Sequence, residues 1–195
     1  MVENEFKYFL TVEKYNAIYC DLKNETLKSN HYIQINYYYD TQDHILNRNG
    51  ITFRIRQKEN DLKLQIKSPV SQKESLFVKN EIEKVVKRLP LRIDTNTLDI
   101  ELPCTGNVNV IGSLVTERIE CKYKDFIEID LDKNFYLGTV DYELEIEFKG
   151  NYYKDVLQLV NDFVKQDNIV KSSQSKSKRF FSIFESLSGK NCKVD

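Results

Sequence analysis

Tryptophan is absent from this chain of 195 residues, and glycine and proline are scarce, at six and three residues. So few turn-forming residues exclude a collagen-like or loop-rich protein. No segment approaches the roughly 20 apolar residues of a membrane helix, and the first residues have neither the basic region nor the apolar run of a signal peptide. The four cysteines lie far apart and form no CxxC pair. These absences predict a cytoplasmic protein with reduced thiols.

Several signatures of familiar catalytic sites are missing as well. The chain contains no GxxxxGK[ST], GxGxxG or HExxH, which excludes the phosphate loops and the zinc-binding helix that these motifs build. His31 and His44 do not have metal-ligand spacing, and no Ser or Cys stands in a nucleophile signature. The net charge is only −1 at pH 7, so an anion site would need a local concentration of Lys and Arg. The charge balance predicts neither a nucleic-acid nor a membrane partner.

What the chain does contain is a repeated alternation of charged residues with mostly apolar ones. In a β-strand successive side chains point to opposite faces, so each alternating segment collects its charges on one face. Faces that carry one sign of charge repel unless groups of opposite sign lie between them. A polyanion bound together with metal cations would neutralise both the basic strands and the acidic strands that face them. The four segments are residues 3–7, 52–56, 63–67 and 143–147.

The acidic faces are candidates for a divalent-metal site. Glu3 and Glu5 share one face of the first predicted strand, and Glu143 and Glu145 share one face of a late strand, with Asp132 shortly before it. Mg²⁺ and Mn²⁺ take several carboxylate oxygens together with water and substrate oxygens. One such pair alone favours a solvated strand face. Two pairs, together with basic pairs, favour the metal site.

The basic faces are candidates for a phosphate site. Arg presents a planar fork to phosphate oxygens and Lys a point charge, and a predicted hairpin places Arg54 and Arg56 beside Lys63 and Lys67. The face lacks the stacking aromatics of a nucleic-acid groove. The remaining chemistry is metal-assisted attack of water on a phosphoryl group, which needs no protein nucleophile. The basic set is Lys7, Arg54, Arg56, Lys63, Lys67 and Arg118.

The hydrophobic pattern predicts an antiparallel α+β protein of about eight strands, with a sheet that could close on itself. Helices are predicted at 11–22, in a short turn ended by Asn49 and Gly50, and at 152–166. Pro69 is expected to end a strand, and residues 86–112 to form a helical or irregular insertion. The predicted strands are 2–10, 31–40, 51–57, 62–68, 77–85, 114–124, 126–131 and 139–149.

Taken in order along the chain, these motifs resemble the CYTH superfamily, the triphosphate tunnel metalloenzymes, and most of all its small single-domain members from Firmicutes. The ExExK hallmark of that family stands at residues 3–7, and the closing SKxxRF pattern at residues 175–180. The resemblance implies an eight-stranded antiparallel closed β-barrel that forms a tunnel, with flanking helices. It also implies a single domain over residues 1–185, followed by a flexible tail at 186–195.

The resemblance also implies roles for individual residues. Lys7, Arg54, Arg56 and Arg118 would neutralise charge during catalysis, and the same four would grip a triphosphate together with Lys63, Lys67, Lys176 and Arg179. One or two Mg²⁺ or Mn²⁺ ions would be held by Glu3, Glu5, Asp132, Glu143 and Glu145. Three further carboxylates stay open as members of the site: Glu147, Glu81 and Glu83.

The expected reaction is metal-dependent hydrolysis of a linear triphosphate, with inorganic tripolyphosphate cleaved to pyrophosphate and phosphate. One alternative keeps the fold and changes the reaction to that of a CYTH-type adenylate cyclase or a thiamine-triphosphatase. Both would need a pocket for an organic group at one tunnel mouth, for which Tyr32, Tyr37 and Tyr39 are candidates. A second alternative is a non-catalytic sensor that binds polyphosphate or a nucleotide. The protein is expected to be a monomer or a homodimer.

Overall fold

Ten β-strands and four α-helices make up the described part of this computed structural model, which covers residues 2–24, 29–73, 76–123, 126–150, 152–163, 170–171 and 174–189. The helices are α1 (Val12–Asn24), α2 (Ile45–Arg48), α3 (Tyr153–Phe163) and α4 (Lys176–Gly189). The strands are β1 (Val2–Leu10), β2 (Ser29–Asp40), β3 (Thr52–Lys58), β4 (Asp61–Lys73), β5 (Leu76–Val86), β6 (Arg92–Asp94), β7 (Asn107–Tyr123), β8 (Ile127–Tyr136), β9 (Thr139–Phe148) and β10 (Val170–Lys171).

Eight of these strands close into an antiparallel barrel. Their order around the ring is β1, β5, β4, β3, β2, β7, β8 and β9, and the pairing of β9 with β1 completes it. At this seam Asn4 lies opposite Phe148, and Leu10 lies opposite Tyr142. Closure removes the exposed sheet edges that would otherwise pair with other chains. The predicted α+β class and the closed eight-stranded barrel are therefore confirmed.

The alternation of β1 shows how the sequence sorts the two faces of the barrel. Phe6 and Tyr8 point outward into an apolar cluster that includes Ile18 and Leu22 of α1. Burying an apolar side chain of this size stabilises the fold by roughly 1.5–3 kcal/mol relative to its exposed state. The helix begins after Thr11, whose hydroxyl accepts a hydrogen bond from Lys14 N at 3.3 Å, in agreement with the predicted cap. Glu5 and Lys7, which flank Phe6 along β1, face the lumen.

Helix α4 covers one end of the barrel. Phe180 and Phe181 are buried against Tyr38, Leu114 and other residues of the barrel end. A Cβ atom at Gly112 would lie 2.7 Å from Phe180 Cζ, so the glycine is required for this close approach of helix and strand. No helix was predicted in this segment, because its polar and basic residues hide the aromatic stripe.

Three further sequence predictions require correction. Pro69 does not end its strand: β4 continues to Lys73, and a register shift between Pro69 and Ser71 accommodates the missing proline N–H. Residues 86–112 were expected to form a helical or irregular insertion; the helical alternative is wrong, since the segment contains β6, a single 3₁₀ turn at Thr95–Thr97 and the start of β7, while 87–91 and 98–106 are irregular. The strand predicted at 126–131 continues as β8 to Tyr136.

The C-terminal boundary also lies later than the sequence suggested. Helix α4 continues to Gly189, four residues into the segment that was predicted to be a flexible tail. Residues 190–195 lie outside the described residues, and so do residues 164–166 at the end of the helix predicted at 152–166. Among the described residues, no helix is both long enough and apolar enough to cross a lipid bilayer.

Candidate functional site in the barrel lumen

The lumen of the barrel is lined by charged side chains, and most of them are buried. The antiparallel register sets cations against carboxylates: Lys7 lies opposite Glu145, and Arg118 lies opposite Asp132. The alternating faces identified in the sequence are therefore the faces that turn inward. The buried charged residues of the lumen are Glu5, Lys7, Arg54, Arg118, Asp130, Asp132, Glu143, Glu145, Lys176 and Arg179.

The open space of the lumen has two connected parts. A narrow inner chamber of about 30 Å³ lies beside α4. A wider vestibule of about 480 Å³ is lined by Tyr32 and other residues near the β3–β4 hairpin. Arg56, Lys67 and Glu147 line both parts and so lie where the chamber meets the vestibule. A ligand at this junction would contact both signs of charge.

Three carboxylates on adjacent strands form the best candidate metal site. Single carboxylate oxygens of Glu5, Glu145 and Glu147 lie within 4.8 Å of one another. Lys79 Nζ lies 2.7 Å from Glu5 Oε1, and Lys7 Nζ lies 2.9 Å from Glu5 Oε2. Burial alone would raise the pKa of Glu5, but these two ammonium groups lower it well below its usual range. The carboxyl is therefore ionised at neutral pH, and a set of ionised oxygen donors suits Mg²⁺ or Mn²⁺.

The structure brings together only part of the predicted metal set. Glu5 and Glu145 share the cluster, and Glu147, left open by the sequence, joins them. The side chain of Glu3 lies outside the described residues.

Asp132 and Glu143 contact the ammonium group of Lys176. Lys176 Nζ lies 2.8 Å from Asp132 Oδ2, 3.0 Å from Glu143 Oε2 and 3.0 Å from Glu145 Oε1. Burial alone would lower the pKa of Lys176, but the three carboxylates raise it above its usual value. One turn further along α4, Arg179 Nη2 donates to Glu143 Oε2 at 2.8 Å. The first turn of α4 thus neutralises the acidic wall of the lumen.

Lys176→Met is expected to lower the free energy of unfolding by about 3 kcal/mol or more, because three buried carboxylates would lose their shared cation. Urea unfolding followed by circular dichroism measures this loss. Lys178→Met is the matched control, since Lys178 lies on the same helix but is exposed to solvent. An unchanged urea midpoint for Lys176→Met would contradict the role of this ammonium group in holding α4 to the barrel.

Arg118 is fully paired within the protein. Its guanidinium donates to Asp132 Oδ1 at 2.7 Å and to Glu145 Oε2 at 2.7 Å, and it also contacts Asp130. Burial alone would lower the pKa of Arg118, but Asp130 and Asp132 raise it well above its usual value. Arg118 was predicted to grip a phosphate, and the structure places it among carboxylates.

Arg54, which is buried, and Arg56, which is partly buried, differ from the other lumen cations. Arg54 Nε donates to Gln65 Oε1 at 2.9 Å, and Arg56 Nε donates to Asn36 Oδ1 at 3.1 Å. Among the described residues, no carboxylate oxygen lies within 4.0 Å of either guanidinium. Burial and repulsion from Arg54 and Arg118 lower the pKa of Arg56 to about 10, which leaves it positively charged at neutral pH. Two neighbouring guanidinium groups, one buried and one partly buried and neither in direct contact with a described carboxylate, have the chemistry that an oxyanion would complement.

The predicted lysines of β4 lie at different depths, because Lys67 lines both the chamber and the vestibule whereas Lys63 lines the vestibule alone. Lys67 Nζ lies 3.5 Å from Glu81 Oε2, and Lys63 Nζ lies 2.7 Å from Glu83 Oε1. Both glutamates line the vestibule, as the sequence had left open. Lys63 and Glu83 are more than a third exposed, so their attraction is screened by solvent and contributes little to stability.

Sequence analysis missed several charged residues of the lumen: Lys58, Asp61, Glu120 and Glu128 in the vestibule, and Lys79 and Asp130 deeper in the barrel. Lys79 pairs with Glu5, and Asp130 pairs with Arg118. Burial raises the pKa of Asp130 well above its usual value, although Arg118 opposes the effect. A signal was available for these two, because Lys79 precedes Glu81 and Asp130 precedes Asp132 in the same alternation of charged and apolar residues.

A closed antiparallel barrel with clustered carboxylates on one wall and unpaired arginines on another defines a tunnel that can bind an anion and a cation together. The chain belongs to the CYTH domain family, whose family model matches residues 1–181. The sequence is also similar to "Putative triphosphatase YjbK" of Bacillus subtilis (strain 168). The two are 30% identical over an alignment that covers 75% of this chain and 77% of YjbK.

Solved structures show the same fold. A "putative adenylate cyclase" from Bacillus halodurans superimposes with a TM-score of 0.67 and is 24% identical, covering 91% of this chain and 96% of its own. The "putative adenylyl cyclase HpAC1" of Hippeastrum, for which a dominant triphosphatase activity is described, gives a TM-score of 0.70 at 21% identity, covering 95% and 96%. At these identities the likeness concerns the fold alone.

Proposed function

We propose that this CYTH protein is a metal-dependent triphosphatase that cleaves inorganic tripolyphosphate to pyrophosphate and phosphate. The observation that carries the proposal is the pair Arg54, which is buried, and Arg56, which is partly buried: among the described residues neither has a carboxylate oxygen within 4.0 Å, and both line the same chamber as Glu5 and Glu145. A linear triphosphate would supply negative charge to these arginines, and Glu5, Glu145 and Glu147 would hold a divalent cation that offsets the negative charge of the carboxylates and phosphates. The name of YjbK and the activity described for HpAC1 support hydrolysis.

The roles of the residues follow from their positions. Glu5, Glu145 and Glu147 would hold Mg²⁺ or Mn²⁺, with Glu3 as a further proposed ligand; the bound cation would neutralise phosphate oxygens. Arg54 and Arg56 would bind non-bridging phosphate oxygens and stabilise the charge that develops on the leaving pyrophosphate. They do so in a chamber whose far end is covered by α4, where little water screens the interaction.

The remaining residues of the expected set stay proposals. Lys7, Arg118, Lys176 and Arg179 are held by carboxylates in this structure, and Asp132 and Glu143 are held by cations. Each would reach the phosphate chain or the metal by exchanging one of its present partners. Lys63 in the vestibule and Lys67 at its junction with the inner chamber would guide the anion inward. The cytoplasmic location, the absence of a nucleic-acid partner and the oligomeric state also stay predictions.

One observation supports a second candidate, a CYTH-type adenylate cyclase or thiamine-triphosphatase. The vestibule of about 480 Å³ is large enough for an organic group attached to the phosphate chain, and Tyr32 lies in its wall. The ammonium group of Lys58 lies 3.3 Å from the centre of the Tyr32 ring, so this ring face is covered by a cation. Tyr39, in contrast, is buried in an outer apolar cluster, so it does not line the vestibule.

The proposal is tested by incubating the pure protein separately with inorganic tripolyphosphate, ATP and thiamine triphosphate, with and without Mg²⁺ or Mn²⁺. The expected result is metal-dependent release of phosphate with the highest kcat/KM for tripolyphosphate. Faster turnover of thiamine triphosphate, or formation of a cyclic nucleotide from ATP, would favour the second candidate. Metal-dependent binding without any turnover would contradict both and favour a sensor.

A further inference from the structure

Strand β2 is the part of the barrel wall that contributes no charge to the middle of the lumen. Its inward-facing side chains alternate along the strand as Tyr32, Gln34, Asn36 and Tyr38. Gln34 and Asn36 are 1% and 0% exposed, so both amides are removed from bulk solvent. Their neighbours on β3 are cationic, since Gln34 lies opposite Lys58 and Asn36 opposite Arg56 in the register.

The three inner residues of this row each carry a buried polar group that lacks a hydrogen-bond partner. These groups are Gln34 Nε2, Asn36 Nδ2 and the Tyr38 hydroxyl, and none is paired within the described residues. Buried donors are paired in the great majority of native structures, because an unpaired one loses its hydration without compensation. Two adjacent amide NH₂ groups on one face of one strand, both without a partner among the described residues, therefore require an explanation. Because an amide N–H can only donate, the missing partner is an acceptor.

The position of Gln34 connects this row with the anion site. Gln34 lines the vestibule together with Arg56 and Arg118. Asn36, next on the same face, accepts the hydrogen bond from Arg56 Nε at 3.1 Å and so holds that guanidinium beside the row. A neutral donor suits this position, since Arg54 and Arg118 already repel Arg56 and another cation would add to the repulsion.

We propose that Gln34 is a further substrate-binding residue, whose Nε2 donates a hydrogen bond to a non-bridging oxygen of the phosphate chain beside Arg56. The ligand class is a linear phosphate chain with acceptor oxygens along its length, and this identity rests on the proposed function. The amide of Gln34 then orients the phosphate oxygen without adding charge, while the guanidinium of Arg56 supplies the positive charge that attracts it. The amide is left unpaired in the protein because its partner arrives with the substrate.

Gln34→Met tests this inference, since methionine has nearly the same length but lacks both the carbonyl oxygen and the NH₂ group of the side-chain amide. Inorganic tripolyphosphate is titrated into wild-type and variant protein, with and without Mg²⁺, by isothermal calorimetry. Loss of one hydrogen bond to a charged group predicts roughly tenfold weaker binding, with KM affected more than kcat. The melting temperature of the ligand-free variant is expected to stay equal or rise, because the buried Nε2 that is removed has no hydrogen-bond partner among the described residues.

Two further variants separate binding from structure. Gln57→Met makes the same chemical change on the outward face of β3, where Gln57 accepts from Tyr37 and donates to the Glu59 carbonyl. It is expected to leave tripolyphosphate binding unchanged. Gln34→Glu keeps the shape of the side chain but replaces the donor by a carboxylate, so it should bind tripolyphosphate more weakly than Gln34→Met does.

The outcomes distinguish this inference from the proposed function. Wild-type affinity in Gln34→Met, a melting temperature lowered by several degrees in that variant, or tighter binding by Gln34→Glu than by Gln34→Met would each overturn the role of Gln34, even if wild-type turnover is fast. The wild type could bind tripolyphosphate without hydrolysing it while Gln34→Met fails to bind. That result would support the role of Gln34 and contradict the triphosphatase proposal. A wild-type protein that does not bind tripolyphosphate would overturn both.

Discussion

Glu5→Gln is expected to reduce metal-dependent turnover of tripolyphosphate at least about a hundredfold, while the barrel stays folded. Even groups that only orient a metal ligand typically cost 10–100-fold when they are replaced, and Glu5 would itself hold the cation. Glutamine keeps the shape of the side chain, and Lys7 retains its contact with Glu145. Initial rates over a range of Mg²⁺ concentrations, together with Mn²⁺ binding by calorimetry, measure the effect. Both the rate and the metal affinity should fall.

The matched control is Glu117→Gln. Glu117 lies on the outer face of β7, where its carboxylate contacts His31 at 3.1 Å, and it is remote from the lumen face. Its turnover and metal affinity should equal those of the wild type. Wild-type kcat/KM in Glu5→Gln at saturating Mg²⁺, with circular dichroism showing a folded barrel, would remove Glu5 from the metal site.

Arg56→Met is expected to raise KM for tripolyphosphate roughly ten- to a hundredfold, since one charge-assisted hydrogen bond contributes about 1.5–3 kcal/mol. The stability of the ligand-free protein should change little. Asn36 would lose the hydrogen bond from Arg56 Nε, but the repulsion that Arg54 and Arg118 exert on Arg56 would disappear as well. Steady-state kinetics and thermal unfolding of the same preparation separate the two effects.

Arg92→Met provides the control for the loss of a positive charge. Arg92 lies on β6, which pairs with β7 outside the barrel ring, and its side chain is exposed. Removing it should leave KM unchanged at fixed ionic strength, because exposed distant charges are screened by salt. An equal rise of KM in both variants would mean that the anion responds to overall charge, and Arg56 would then not be a specific contact.

Local alternation made much of the site predictable. Arg54 and Arg56 occupy one face of a strand whatever the partner strands are, so their common direction follows from the pleat alone. The same holds for Glu143 and Glu145. Asp130 was missed although it obeys the same rule, since the predicted strand was taken to end at Leu131, before its acidic face was complete. The helix α4 was missed because its polar and basic residues hide the aromatic stripe, and because the contacts of Lys176 and Arg179 with barrel carboxylates are long-range and leave no local sequence signal.

The sequence by itself determined which side chains share a face, because strand periodicity is a local property of the backbone. Only the tertiary structure decided which of these charges neutralise one another. Ring closure places Lys176 and Arg118 among carboxylates and leaves Arg54 and Arg56 without them. This distinction depends on distances of a few ångströms between residues far apart in sequence. Electrostatic energy inside a barrel changes steeply over such distances, so the pairing of these charges follows from the strand register and not from the sequence pattern alone.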